Sequence, residues 1–355
     1  MKVKLNKLLN RRLVAFYKSG ITSMRLKYFI QFNQLYLLDD SEGSISLSSE
    51  VKYKYYTNEV GDKVLKLVFM KTGARLIDDK IAELSGQLET LFNGDLLDLI
   101  NTRNTVEFQL IVKESEQEEY VIPYELERDD SLEGYIRLSK YYSWNYRKDA
   151  HLLIGGNTGT GKSYLLYQLI TETIKQTEKE EIYICDGKND ELSLHAEKIF
   201  HLKHILKSSK SILETVKTVV KEMDRRFSLR QDKGYNVEFF PIFLFIDEYT
   251  SLKLVMNKKE YQELEQSIKQ LVLKARSANI HLIIALQRAS STNMDLDLRD
   301  NCSIKIGLGN LSVENYKMLF NENIEKSALK QKDIGQGYIY QQGVIKNFKA
   351  FNIKV

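Results

Sequence analysis

From about Leu132 onward the chain alternates between uninterrupted apolar runs and longer stretches in which apolar residues recur every three or four positions. Apolar runs without polar alternation read as strands buried on both faces, and the longer stretches as helices crossing over them. The pattern predicts strands at His151–Gly155, Glu181–Asp186, Ile242–Asp247, Ile280–Leu286 and Ser303–Leu308. Helices are expected near Lys162–Gln176, Lys210–Arg230 and Lys259–Ser277. In the second of these, Ile212, Val216, Val219, Val220, Met223 and Phe227 form one apolar stripe. Residues Gly337 to Val355 alternate like a closing hairpin. Strands alternating with helices predict an α/β domain with a mostly parallel sheet flanked by helices.

The first part of the chain follows another rhythm. Leu5, Leu8, Leu9, Leu13 and Phe16 fall near helical spacing among many basic residues, which predicts a basic amphipathic helix. Val64–Phe69 and Val106–Val112 read as strands, Asp78–Phe92 as a helix, and Glu114–Glu119 as a solvated acidic turn. The expected organisation is therefore a small N-terminal α+β domain over 1–131, without recognisable chemistry, and the α/β domain over 132–355.

Composition narrows the class only modestly. Of 355 residues, 43% are hydrophobic and 28% charged, which excludes a disordered chain. No stretch approaches the roughly 20 apolar residues of a membrane span, and the N-terminal apolar residues are broken by Lys and Arg. A cytoplasmic location is expected, with membrane contact only through partners or the basic N-terminus. A net charge of +4 is too balanced to announce nucleic-acid binding by itself. Cys185 and Cys302 lack metal-ligand spacing and read as buried free thiols. His201 and His204 have no second ligand pair beside them.

The chemistry is concentrated in one segment. Gly156-Asn157-Thr158-Gly159-Thr160-Gly161-Lys162-Ser163 matches GxxxxGK[ST], after an apolar strand and at the start of a helix. The glycines let backbone N–H groups turn toward phosphate oxygens, and the helix N-terminus favours the anion. Lys162 suits the β- and γ-phosphates of ATP, and the Ser163 hydroxyl suits Mg2+. Phe243–Ile246 is an apolar strand followed by two carboxylates, at the end where parallel strands bind ligands. Asp247 suits the Mg2+ shell and Glu248 a general base acting on water. Gln287, ending the next buried run, is placed to sense the γ-phosphate or simply to end a strand.

These residues resemble the FtsK/SpoIIIE family of DNA translocases. The resemblance is carried by His151–Ser163, Glu222-Met223-Asp224-Arg225-Arg226-Phe227, Lys274–Leu282 and Ala285-Leu286-Gln287-Arg288, in the family's order. It implies a RecA-like P-loop NTPase motor, a homo-hexamer around duplex DNA, and ATP between subunits. It also implies an arginine finger acting on a neighbour's nucleotide, for which Arg276 is the first candidate, ahead of Arg288 and Arg299. Arg226, Arg230, Lys233, Arg288 and Arg299 are weak candidate DNA contacts, and solvated surface charge is the preferred reading of any one of them. Asp186-Gly187-Lys188 departs from the family's usual Asp-Pro-Lys. The compact outline resembles the FtsK-like coupling ATPases of Gram-positive mobile elements. That implies a DNA-stimulated ATPase in conjugative transfer or plasmid maintenance, with relaxase or transfer-apparatus partners. The alternative is a nucleotide-gated adaptor that recruits such a partner without pumping DNA.

Overall fold

In a computed structural model, the apolar runs of the second half assemble into one sheet. The structure describes residues 7–38, 45–115, 119–123, 126–129, 131, 134–188, 191–234, 236–287, 296–322, 329 and 331–354. The chain divides into two compact units, Met1–Ser115 and Glu116–Val355.

The second unit holds an eight-stranded sheet. Its strands are β1 (Leu152–Gly156), β2 (Ile182–Asp186), β3 (His204–Leu206), β4 (Ile242–Asp247), β5 (Ile280–Leu286), β6 (Ile304–Leu308), β7 (Gln336–Gln341) and β8 (Val344–Lys349). The spatial order is β3-β2-β4-β5-β1-β6-β7-β8. Strands β3 through β6 in that order pair in parallel, and β7 and β8 close the edge antiparallel. The helices are α1 (Lys162–Ile174), α2 (Glu191–Lys198), α3 (Ser209–Lys233), α4 (Leu252–Val255), α5 (Lys258–Lys274), α6 (Leu296–Asn301) and α7 (Val313–Phe320).

Side-chain alternation explains why the strands are apolar throughout. Leu244 and Ile246 of β4 enter one core with α3 and α5, while Phe243 and Phe245 enter the other with α1 and α2. Both faces are covered, so neither phase of the strand can be polar. The stripe from Ile212 to Phe227 packs on the first core as the periodicity predicts. Helix α5 starts at a capping box: Asn257 Oδ1 accepts from Glu260 N at 3.0 Å, and Glu260 Oε2 accepts from Asn257 N at 3.2 Å.

The first unit is α+β. A four-stranded antiparallel sheet (Val51–Thr57, Lys63–Met70, Thr105–Lys113, Asp95–Asn101) packs with the helix Lys7–Phe32 around Leu26, Phe29, Leu67, Phe69 and Phe108. Side chains of the amphipathic stretch near Leu5–Phe16 lie outside the described residues.

The structure corrects three local readings. Asp78–Phe92 is two helices, Arg75–Glu83 and Ser85–Phe92, broken at Leu84 where Ser85 and Gly86 weaken helix propensity. The C-terminal alternation is a hairpin only to Lys349; Asn352–Lys354 instead pairs in parallel with Glu119–Val121. Part of the acidic run is therefore strand, and residues 116–118 lie outside the described residues.

Cys185 and Cys302 are buried free thiols, and burial pushes both up to about 12. Two histidines are buried at the amino-terminal ends of the central strands. Leu282 N donates to His151 Nδ1 at 3.1 Å, which only a neutral His151 can accept. Burial lowers His151 from 6.5 to about 4 and His281 from 6.5 to about 3. The unfolded chain therefore binds these protons more readily, and stability present above pH 6.5 is lost as pH falls toward those values. The expected loss is about 2 kcal/mol between pH 6.5 and 5.5, or roughly 4–8 °C in Tm. Thermal melts across that range check it. His151→Asn, whose amide oxygen accepts from Leu282 without titrating, should flatten the slope; an unchanged slope would contradict the assignment.

Candidate nucleotide site

Strand β1 ends at Gly156, and the chain turns back into α1 through residues 157–161. Gly159 and Gly161 hold φ values of 80° and 92°, which L side chains rarely adopt. Gly156 is buried, Asn157, Thr160 and Gly161 are partly buried, and Thr158 and Gly159 are exposed. Thr160 ties the loop internally, donating from Oγ1 to Asn157 O at 2.8 Å. Its carbonyl accepts from Gly335 N at 2.9 Å, so the segment before β7 braces the loop. Gly309 leaves room for it, since a Cβ there would stand 2.4 Å from Thr160 Cγ2. This brace comes from residues far along the chain and has no local sequence signal.

Lys162 is the first residue of α1 and is 7% exposed. Its Nζ lies 2.5 Å from Glu248 Oε1 and 3.5 Å from Asp247 Oδ1. The parallel order brings these residues together: β1, β5 and β4 are neighbours, so their carboxyl ends share one edge of the sheet. Asp247 ends β4, and burial is the main force raising its carboxyl above the usual range. Glu248 follows in a left-handed conformation (φ 51°, ψ 44°), an unusual backbone for a non-glycine residue. That turn is held by Ser251, whose N and Oγ donate to Glu248 O at 2.7 and 2.8 Å.

Gln287 follows directly after β5, partly buried, one residue past the Gly155–Leu286 register pair. It therefore stands level with Gly156, between the loop and the carboxylates. Ser163 is partly buried beside Lys162. A hydroxyl and a buried carboxylate are hard oxygen donors, and Asp247 gains from a nearby cation, so this pair fits Mg2+ with the other ligands from phosphate and water.

The arginines distribute differently. Arg276 is exposed in the turn Ala275–Ala278 that precedes β5, at the opposite end of the sheet from Lys162. Its Nε donates to Arg147 O at 3.3 Å, and with Arg147, Arg230 and Lys274 it lines a cleft of about 1230 Å3. Arg226 is 3% exposed, donates to Phe240 O and Ala278 O at 2.9 Å, and pairs with Glu222 at 2.8 Å. It ties α3 to the loops before β4 and β5 and is not presented to DNA. Arg299 is likewise buried, 2.8 Å from Asp300 Oδ1, which removes it from the exposed finger and DNA candidates. Arg230 donates to Ser277 O and lies over Phe239; Lys233 is exposed at the end of α3. Arg288 lies outside the described residues.

One residue absent from the sequence-based set also reaches the site. Lys188 Nζ lies 3.5 Å from Glu248 Oε1. It follows β2, whose Asp186 is in register with Asp247.

Similarity to known proteins agrees with this architecture. The chain is 30% identical over 219 residues to the FtsK domain-containing protein YdcQ of Bacillus subtilis, covering 59% of this chain and 45% of that protein. It is 28% identical over 203 residues to the DNA translocase FtsK of Leptospira interrogans, covering 52% of this chain and 21% of that one. The chain thus spans less than half the length of these curated relatives. The solved structure of the pCW3 conjugation coupling protein TcpA, a monomer form with ATPgS, shares the fold with a TM-score of 0.56 at 18% identity, covering 91% of this chain and 92% of that chain. Residues 133–240, which include the phosphate loop and end just short of β4, match the FtsK/SpoIIIE family model. This chain therefore carries an FtsK/SpoIIIE-family domain built on a P-loop ATPase fold.

Proposed function

We propose that this chain is an Mg2+-dependent, DNA-stimulated ATPase that moves duplex DNA as a ring of six copies, in conjugative transfer or plasmid maintenance. The observation that carries it is the convergence of Lys162, Asp247 and Glu248 at the carboxyl edge of a parallel sheet, beside a loop shaped for phosphate. The translocase names of its relatives support DNA as the track.

In this reading the N–H groups of residues 156–163 and the Lys162 ammonium hold the phosphates of ATP. Ser163 and Asp247 would hold Mg2+, which neutralises phosphate charge when bound. Glu248 accepts a proton from water as the water oxygen attacks the γ-phosphorus and the bond to the β–γ bridging oxygen breaks, giving ADP and phosphate. Gln287 orients that water. DNA contact would run through Lys233, Arg230 and Arg288, mostly to phosphates.

The test is steady-state ATP hydrolysis by the protein alone, with duplex DNA and with single-stranded DNA, using Lys162→Ala as the blank. Stimulation by duplex is expected, with binding that weakens steeply with added salt because phosphate contacts release counterions. Stimulation by neither DNA would favour the adaptor reading. A flat salt response would count against backbone tracking.

A further inference from the structure

We propose that Lys188 is a positioning residue for Glu248, holding its carboxylate in place once nucleotide draws Lys162 away. The proposal rests on the reading of Glu248 as general base. Two ammonium groups meet one carboxylate oxygen: Lys162 Nζ at 2.5 Å and Lys188 Nζ at 3.5 Å from Glu248 Oε1. Lys162 belongs to the phosphate loop, and a bound polyphosphate carries far more negative charge than one carboxylate, so it competes for this lysine. Glu248 is 7% exposed and adjoins Asp247. Without Lys162 it would be a buried anion beside a second carboxylate, an arrangement that favours a shifted rotamer. Lys188 is the neighbouring cation that can replace it.

The local structure keys Lys188 to this task. Its backbone N donates to Asp186 Oδ1 at 3.1 Å, and Ser193 Oγ fixes the other oxygen of Asp186 at 2.6 Å. Gly187 sits under the segment that follows Glu248: a Cβ there would lie 2.4 Å from Leu252 Cδ2. The turn carrying Lys188 and the turn carrying Glu248 are thus wedged against each other. The Lys188 side chain is 38% exposed, so it can move with the carboxylate and does not support the core.

The experiment compares Lys188→Met and Lys188→Arg in the full chain, measuring kcat, KM and the Kd of ATPγS, with Glu248→Gln alongside. Lys188→Met should lower kcat about tenfold or more, a part of the typical general-base contribution, with KM and Kd within about twofold. Lys188→Arg should recover most of the loss, because it restores the charge. A kcat within twofold of the unaltered protein in Lys188→Met, with Glu248→Gln inactive, overturns the role of Lys188 alone. A rise in Kd with kcat retained also overturns it, since Lys188 would then be a phosphate ligand. Full activity in Glu248→Gln removes the general-base reading itself, and this proposal with it.

Discussion

Replacing Glu248 with Gln is expected to stop ATP turnover while nucleotide still binds. The loss in kcat should be about 10²–10⁴-fold, the usual contribution of a positioned base. Gln keeps the length and shape of Glu, so the left-handed turn held by Ser251 should survive. What changes is charge. Lys162 now lies 2.5 Å from Glu248 and must give up that contact to reach a phosphate. Removing the carboxylate's charge weakens that competition, so ATPγS should bind as tightly as before or more tightly. The checks are single-turnover hydrolysis and a thermal shift with ATPγS, where a bound ligand raises Tm by mass action. Normal turnover would remove Glu248 from the role of base. Loss of the thermal shift would mean that the change damaged the phosphate site instead.

The same contact shows what a sequence can and cannot disclose. Lys162, Asp247 and Glu248 were each legible because a glycine-rich turn and a strand-ending acidic pair are local patterns. Their convergence followed from the parallel order of the strands. The ion pair between Lys162 and Glu248, and the approach of Lys188, depend on which strands become neighbours, which no local pattern encodes. Strands β4 and β5 lie where the apolar runs predicted, because burial on both faces leaves an uninterrupted signal. Strand β3, three residues long and only half-buried, carries too little pattern to stand out. The pairing of Asn352–Lys354 with Glu119–Val121 joins the two ends of the second unit and was invisible for the same reason. Arg226 illustrates the limit for charge: a run of basic residues on a helix reads as a solvated face, yet here one guanidinium is buried among backbone carbonyls.

Alanine at Arg276 is expected to lower ATP turnover about 10³-fold or more, the range associated with arginine fingers. The argument is positional. Arg276 precedes the amino-terminal end of β5, whereas Lys162 and Glu248 lie at the carboxyl ends of the strands. Within one chain the guanidinium is at the wrong end of the sheet to stabilise the phosphate held by its own Lys162. It is exposed and opens onto a cleft whose other cations include Arg147 and Lys274, so it is presented outward. In the proposed ring, a finger in this position would serve a nucleotide held by a neighbouring copy. That makes the prediction separable from simple loss of folding. Arg276→Ala and Lys162→Ala proteins should each be nearly inactive, yet a mixture of the two should recover activity. At some interfaces the intact phosphate loop of an Arg276→Ala subunit then meets the intact Arg276 of a Lys162→Ala subunit. Recovery in the mixture, absent from either protein alone, would establish action between copies. If Arg276→Ala turns over ATP normally, the finger lies elsewhere. If it is inactive and the mixture stays inactive although mixed assemblies form, Arg276 does not act across the interface.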